Sequence, residues 1–520
     1  MREIALLAIA RYGDMIQTTP LVRQLRRAHP DARLTAIVED RFQGILPLIQ
    51  GFDRTIVLSK QDIAWEVATG ETPLAAYLKM DSFVRQLEEG EYDLLVNITC
   101  SGLSAFLASA MKFRDAAGFI ADERGQRVIR TQWGQYVFSW FNDHIRKYNP
   151  INLVDIFTRL GGVMPDGKRV ELTPTARGDE AAEAFIAEHG LGGKRLVGLQ
   201  LGASEANRCW PVENFARLSD RLQRELGVTT VLFGAPNEKE LAEKALAAME
   251  LPAVDAVGKT SIEGLYSLVG RCAALVSNDT GTMHFAAAAG VPAVMLCIGP
   301  AFFRCTGPYG AGHVALQPDI PCSPCPYGIE CGAPVCRTAI TTEAVFSATR
   351  LLVEGGAGLT GRDFPGVRVY RSGFAPDGYL TWDGIFNLDQ EAEQLTKRRE
   401  AMWKSCFDGT GKRSGEPKDD ALRPFHRLMV EGARISAEIA EAARKKPLPV
   451  EKIRKLGERE AAIEAEVKLL GYREGLVSPI ATFLTLMREN MVETDLGAVA
   501  RETHRLYETG RSLVTNLAVV

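Results

Sequence analysis

The 520-residue chain carries 61 basic and 65 acidic side chains, a formal charge of −4, which excludes a general attraction to polyanions such as nucleic acid. With 46% hydrophobic residues it can bury several cores, which excludes wholesale disorder, and at roughly 150 residues per domain it should hold about three domains. The start, Met1-Arg2-Glu3 followed by the apolar run Ile4 to Ile9 and then Arg11 and Asp14, is too short and too charged for an export signal. A cytoplasmic location is expected, peripheral at most to the inner face of a membrane. The longest uncharged stretch, Thr280 to Phe303, meets a length rule for a membrane span. Gly290-Val291-Pro292 divides it into an alanine-rich helix and a buried strand, so no transmembrane segment is expected.

Taken in chain order, the first half alternates short apolar runs with helical patterns. Strands are expected at Ile4 to Ile9, Leu34 to Val38 and Leu94 to Ile98, and helices at about Thr19 to His29, Leu74 to Leu87 and Ile151 to Leu160. This is the βαβ grammar of a parallel sheet covered on both faces. After a polar stretch around Met164 to Arg177 the grammar restarts, with strands Leu196 to Leu201, Thr229 to Phe233, Ala273 to Ser277 and Ala293 to Cys297 separated by helices. Two doubly wound domains in series make a cleft, with ligands outside the carboxyl ends of the strands. The expected boundaries are 1–175, 176–355, a linker and irregular region over 356–420, and a mainly helical extension over 421–520. Within 356–420, Val367 to Thr381 could form one or two strands. In the extension Ile453, Leu456, Ile463, Val467 and Leu470 follow a heptad pattern interrupted by Glu460, Gly471 reads as a stop, and Ser478-Pro479 opens a last helix. A bundle packed on the cleft domains and a module for oligomerisation or acceptor docking both fit.

Three segments could carry chemistry. After the first strand comes Arg11-Tyr12-Gly13-Asp14, with Thr19 as N-cap and Pro20 as first helical residue. That places Asp14 in a strand-to-helix loop facing the cleft, either as a turn residue or as a carboxylate that accepts a proton. A G-x-G-x-x-G fingerprint is lacking, which argues against dinucleotide binding in this half. After Ala273 to Ser277 comes Asn278-Asp279-Thr280-Gly281-Thr282-Met283-His284. Amides of Thr280, Gly281 and Thr282 would point out of a helix N-terminus, where a diphosphate binds. Asp279 would repel phosphate and suits a sugar hydroxyl or a cap, and His284 suits a core position or a phosphate contact equally. After Leu196 to Leu201, Gly202-Ala203-Ser204 makes room, and Arg208 either reaches the same phosphates or is an ordinary surface arginine.

Together these segments resemble glycosyltransferase family 9, the ADP-heptose heptosyltransferases of lipopolysaccharide inner core. The matching stretches are Arg11-Tyr12-Gly13-Asp14 with Thr18-Thr19-Pro20, Arg208-x-Trp210-Pro211, Gly234-Ala235 with Glu238, and Asp279-Thr280-Gly281-x-x-His284 followed by Ala286-Ala287-Ala288. The resemblance covers about residues 1 to 350 and implies an α/β fold of GT-B type, two Rossmann-like domains facing a cleft. It further implies inverting transfer from an ADP-heptose-like nucleotide-sugar donor, with no catalytic metal. Asp14 would be the base, Thr280 and Gly281 would hold the diphosphate, and Asp279 and His284 would lie beside it. Arg208, where the family usually has Lys, would offset the leaving charge, with a guanidinium in place of an ammonium. Glu238 would bind the ribose and Thr260 would line the adenine pocket.

The acceptor is less defined. Asn97-Ile98-Thr99-Cys100-Ser101 stands where lipopolysaccharide enzymes commonly show an acidic or amide-rich motif. Arg114, Arg124, Arg127 and Arg130 form a basic patch suited to a phosphorylated lipid-linked sugar or to plain solvation. A lipopolysaccharide-core or other glycan, a lipid-linked glycan or a protein would all serve, the last making the chain a protein O-heptosyltransferase recruited through its C-terminal helices, which could also mediate oligomerisation. A non-catalytic nucleotide-sugar-binding scaffold is the other alternative. Six of the ten cysteines are dispersed, as in reduced thiols. The other four, Cys322, Cys325, Cys331 and Cys336, have C-x2-C-x5-C-x4-C spacing, which suits structural zinc or iron or reduced or paired thiols ordering a loop. A redox protein would rest on these four alone.

Overall fold

In the computed structural model the described residues are 2–69, 73–140, 146–329, 331–411, 415–417, 419–473 and 475–517. Contacts divide the chain into two compact units. The first holds residues 1–99, 110–116 and 151–389, and the second holds 100–109, 117–150 and 390–520.

The first unit is built on two sheets. In one, β1 (Glu3–Ala8), β2 (Arg33–Glu39), β3 (Arg54–Leu58) and β4 (Glu91–Asn97) run parallel in the order β3-β2-β1-β4. β5 (Lys112–Ala121) begins in the first unit and ends in the second. The other sheet contains β7 (Leu196–Gln200), β8 (Thr229–Phe233), β9 (Val254–Asp255), β10 (Cys272–Asn278), β11 (Ala293–Leu296) and β12 (Val314–Pro318), parallel in the order β12-β11-β10-β7-β8-β9. Strands buried on both faces read as unbroken apolar runs, as Leu6, Leu7, Val197, Leu199, Val276 and Val294 do, all nearly inaccessible. The order reverses between β1 and β4 in one sheet and between β7 and β10 in the other, and the loops after β1, β7 and β10 open at those switch points, where doubly wound sheets bind ligands.

The stretch 356–420, expected to be linker and irregular, contributes β13 (Val367–Phe374) and β14 (Leu380–Phe386) and the helix Gln390–Phe407. The two strands extend the second sheet antiparallel from β12, with Val367, Val369 and Tyr370 buried. The glycine-rich run before them allows the chain to reverse, which makes the antiparallel pairing reachable.

The second unit gathers the hairpin of β5 with β6 (Arg127–Arg130) and the helices Gln132–Ser139, Gln390–Phe407, Arg423–Ala442, Val450–Tyr472, Ser478–Glu489 and Leu496–Leu517. Residues 100–109 and 117–150, expected with the first α/β domain, cluster here. Their aromatic side chains explain this: Tyr136 lies 4.8 Å from Trp403, and Trp133 5.5 Å from Phe407, between ring centroids, contacts of the kind that dominate core energetics. In the heptad helix Leu456, Ile463 and Val467 are buried, and Glu460 turns inward to accept a hydrogen bond from Ser436 Oγ. The helix opened by Ser478-Pro479 is followed by another, Leu496–Leu517. Among the described residues no helix is long and apolar enough to cross a membrane.

Candidate active site

The chain after β1 departs from the expected loop. Tyr12–Gln17 forms a short helix, with Asp14 as its third residue accepting a hydrogen bond from the Arg11 N–H at 3.2 Å. A carboxylate at that position satisfies one of the orphan amides of a helix start, so the helix begins ahead of Thr19-Pro20. Thr18, not Thr19, is the N-cap of the next helix, Thr19–Ala28. The Thr18 and Thr19 hydroxyls instead donate back to the carbonyls of Met15 and Ile16 at 2.7 and 2.8 Å.

The Asp14 helix packs against the helix Gly281–Ala289 that follows β10. The approach is close because both contact points are glycines: a Cβ on Gly13 would lie 3.0 Å from His284 Cδ2, and one on Gly281 3.9 Å from Gly13 N. Asp14, Asp279, Gly281 and His284 are thereby brought together. Burial pushes the Asp14 carboxyl above its ordinary range, the Arg11 amide and charge oppose this, and the nearby Asp279 charge adds to it. Thr280 is the N-cap of the second helix in extended conformation, without a side-chain cap bond, and its hydroxyl lies 3.2 Å from Ser277 Oγ. The Met283 N–H turns back to the Thr280 carbonyl at 3.2 Å, and the amides of Gly281 and Thr282 lie at the helix start, the kind of place where an anion can bind. Gly290 ends that helix at φ +75, a left-handed cap for which glycine carries no Cβ penalty.

His284 is 6% exposed, its Nε2 lies 3.2 Å from Gln17 Nε2, and its Nδ1 has no hydrogen-bond partner among the described residues. Burial brings its pKa down to about 4, and that of His313, whose Nδ1 accepts the Ala293 N–H at 3.1 Å, down to about 3. Both rings are neutral near pH 7. Their folded pKa values lie below the ordinary 6.5, so the stability that neutral rings provide is full above 6.5 and is lost as pH falls through 4 toward 3. The expected loss is about 3 kcal/mol for His284 and about 5 kcal/mol for His313. Urea unfolding across this range should show it, and His313→Asn, whose Oδ1 can replace the Nδ1 acceptor, should show a shallower slope.

Glu238 closes the short 3-10 turn Pro236–Glu238 that follows β8. Its Oε2 accepts from the Ala235 N–H at 2.7 Å and from Gln200 Nε2 at 3.2 Å, while burial pushes its pKa up against these bonds. Arg208 is 9% exposed, pairs with Glu205 at 3.5 Å and lies 5.1 Å over the Tyr327 ring. It is therefore no ordinary surface arginine. Thr260 stands apart, half-buried just before Ser261, the N-cap of the helix Ile262–Val269.

Three residues of this region escaped the sequence reading. Asn278 is fully buried, donates to the Leu201 carbonyl at 2.8 Å and accepts from the Trp210 N–H at 3.0 Å, fixing the chain on both sides of Gly202 to Arg208. Gln200 and Gln17 are the others. For Gln200 the signal is a glutamine closing the apolar run Leu196 to Leu199, a polar group that burial favours only when it is bonded.

The four clustered cysteines are free thiols. Burial first, then the neighbouring Cys322, Cys336 and Cys331, push the Cys325 thiol up to about 11. Four thiols are a suitable donor set for zinc or iron, yet among the described residues no group of three or more His, Cys, Asp or Glu is placed to hold a metal.

Two doubly wound halves, with loops opening at both switch points, make a fold of GT-B type. The model of glycosyltransferase family 9 (heptosyltransferase) matches residues 80–328. Lipopolysaccharide heptosyltransferase 2 of Salmonella typhimurium is 36% identical over 304 residues, 55% of this chain and 79% of that protein. Lipopolysaccharide heptosyltransferase 1 of Pseudomonas aeruginosa is 25% identical over 329 residues, 62% of this chain and 86% of that protein. The crystal structure of a family 9 glycosyl transferase from Veillonella parvula superposes with a TM-score of 0.56 at 22% identity, covering 68% of this chain and 97% of that one. Escherichia coli ADP-heptose lps heptosyltransferase II gives 0.50 at 19%, covering 68% and 98%. The chain belongs to glycosyltransferase family 9.

Proposed function

We propose that the chain transfers a heptose from an ADP-activated donor to a lipopolysaccharide-core or related glycan acceptor, with inversion at the anomeric carbon. The observation that supports this reading is the packing of the Asp14 helix on the N-terminal part of Gly281–Ala289, which brings the segment carrying a carboxylate to a helix start.

In the proposed step the acceptor hydroxyl oxygen attacks the anomeric carbon as Asp14 takes its proton, and the bond from that carbon to the diphosphate oxygen breaks. A carboxylate pushed up by burial is a better base than an ordinary one. The departing charge is met by the amides of Thr280 and Gly281 and by Arg208. Glu238 takes the ribose, Thr260 lines the adenine side, and Asp279 and His284 complete the donor pocket. A single displacement of this kind inverts the anomeric carbon, and no step runs through a metal.

The proposal is tested by thermal shift against ADP, UDP, GDP and CMP and the sugar nucleotides built on them. Binding to the folded state alone adds about 2.7 kcal/mol at a hundredfold excess over Kd. A selective shift with ADP or ADP-heptose is expected, whereas a preference for UDP or GDP would overturn the heptose donor. For the cysteine cluster we propose a structural zinc or iron, which requires the four thiols to draw together. Elemental analysis of purified protein should then give one metal per chain, and no zinc or iron above background would contradict it.

A further inference from the structure

Gln200 is the last residue of β7 and is 3% exposed. Its side-chain amide is bonded at both ends: Oε1 accepts from Thr282 Oγ1 at 2.7 Å, and Nε2 donates to Glu238 Oε2 at 3.2 Å. This orientation is fixed by chemistry, because turning the amide over would set its oxygen against the Glu238 carboxylate. Thr282 lies in the first turn of Gly281–Ala289. One side chain thus connects the diphosphate end of the donor site to the carboxylate at its nucleoside end.

The rest of the Glu238 surroundings leave little choice of position. A Cβ on Gly202 would lie 1.7 Å from Oε1 and one on Gly234 2.7 Å from Oε2, so the carboxylate occupies the room that these glycines leave. Both hydrogen bonds fall on Oε2, and among the described residues Oε1 carries none. An ionised carboxylate has about four acceptor positions, so Oε1 can receive hydroxyl donors from a ligand without surrendering a bond to the protein.

We propose that Gln200 is a specificity-determining positioning residue: it holds Glu238 with Oε1 presented to the ribose diol of the donor nucleotide and couples that contact to the first turn of the diphosphate-binding helix. The inference rests on the donor-site reading above but not on the identity of the base, since every ribonucleoside diphosphate carries the diol.

The test compares binding of ADP with that of 2′,3′-dideoxy-ADP by calorimetry on the full chain, repeated with UDP and GDP. In the wild type the dideoxy analogue should bind about tenfold more weakly or worse, the size of at least one hydrogen bond to a charged acceptor. Gln200→Leu should weaken ADP by a similar factor and the dideoxy analogue by less than twofold, so that discrimination between them collapses. Gln200→Glu, which sets a second carboxylate against Glu238, should do the same, and it keeps the test available if the leucine variant does not fold. Combined with Glu238→Gln, Gln200→Leu should add almost nothing further. Equal loss for ADP and its dideoxy analogue, or unchanged discrimination, overturns the role of Gln200. Absence of binding by the wild type to any nucleoside diphosphate overturns the donor reading itself, whereas binding of UDP or GDP with the same diol dependence overturns only the choice of base.

Discussion

Asp14→Asn is expected to lower kcat by about three orders of magnitude, the contribution of a positioned general base, while donor binding changes less than twofold. Asparagine keeps an oxygen that can accept the Arg11 N–H, so the helix start should survive. The stability effect runs opposite to the usual one for a lost side chain. The folded Asp14 pKa is raised, so the folded state holds this proton more tightly than the unfolded state, and stability falls as pH rises from the ordinary 3.8 toward the raised value. At neutral pH the wild-type carboxylate therefore costs stability through burial and through Asp279. The variant should melt no lower than wild type at pH 7, and any advantage should vanish in acid. The wild-type pH profile of kcat/KM should fall on its acid side with an apparent pKa above that of an ordinary aspartate. A variant that turns over at wild-type rate would remove Asp14 as base.

Gly202→Ala should be the most damaging small substitution around Glu238. A methyl there would sit 1.7 Å from Glu238 Oε1, and the carboxylate must leave its place between the Ala235 amide and Gln200. Because the displaced group is the end of a flexible side chain, the fold should tolerate the change, with a shift in melting temperature of a few degrees at most. Loss of hydrogen bonds to a charged acceptor amounts to about 1.5–3 kcal/mol, so donor KM should rise about tenfold or more while kcat at saturating donor stays near wild type. A fall in kcat with KM unchanged would mean that Glu238 acts on the reacting centre instead.

Much of the architecture was legible because the apolar runs of β1, β2, β4, β7, β8, β10 and β11 are unbroken and sit between amphipathic helices, a pattern set by burial on both faces. β3 went unread because Arg54 and Thr55 dilute its pattern and are exposed. β13 and β14 sit beyond a glycine-rich run that reads as a linker, and their place in the sheet depends on pairing with β12, which no local pattern encodes. The grouping of Trp133 and Tyr136 with Trp403 and Phe407, some 270 residues further on, is long-range for the same reason. At the site, the loop after β10 could be read from its glycine and hydroxyl residues at a helix start. The helical placement of Asp14 could not, since Thr19-Pro20 is the stronger start signal and masks the earlier one. Glu238, Gln200 and Thr282 are scattered in sequence and meet only because β7, β8 and β10 are neighbours in the sheet.

Transfer of a heptose from ADP-heptose at this site is measured most directly as ADP release with heptose-free core lipopolysaccharide as acceptor, read together with the mass and anomeric configuration of the product. The proposed transfer should give ADP release dependent on both substrates, a product one heptose heavier with inverted configuration, and loss of both signals in Asp14→Asn. ADP release and product formation undiminished in that variant, or a product of retained configuration, would contradict it.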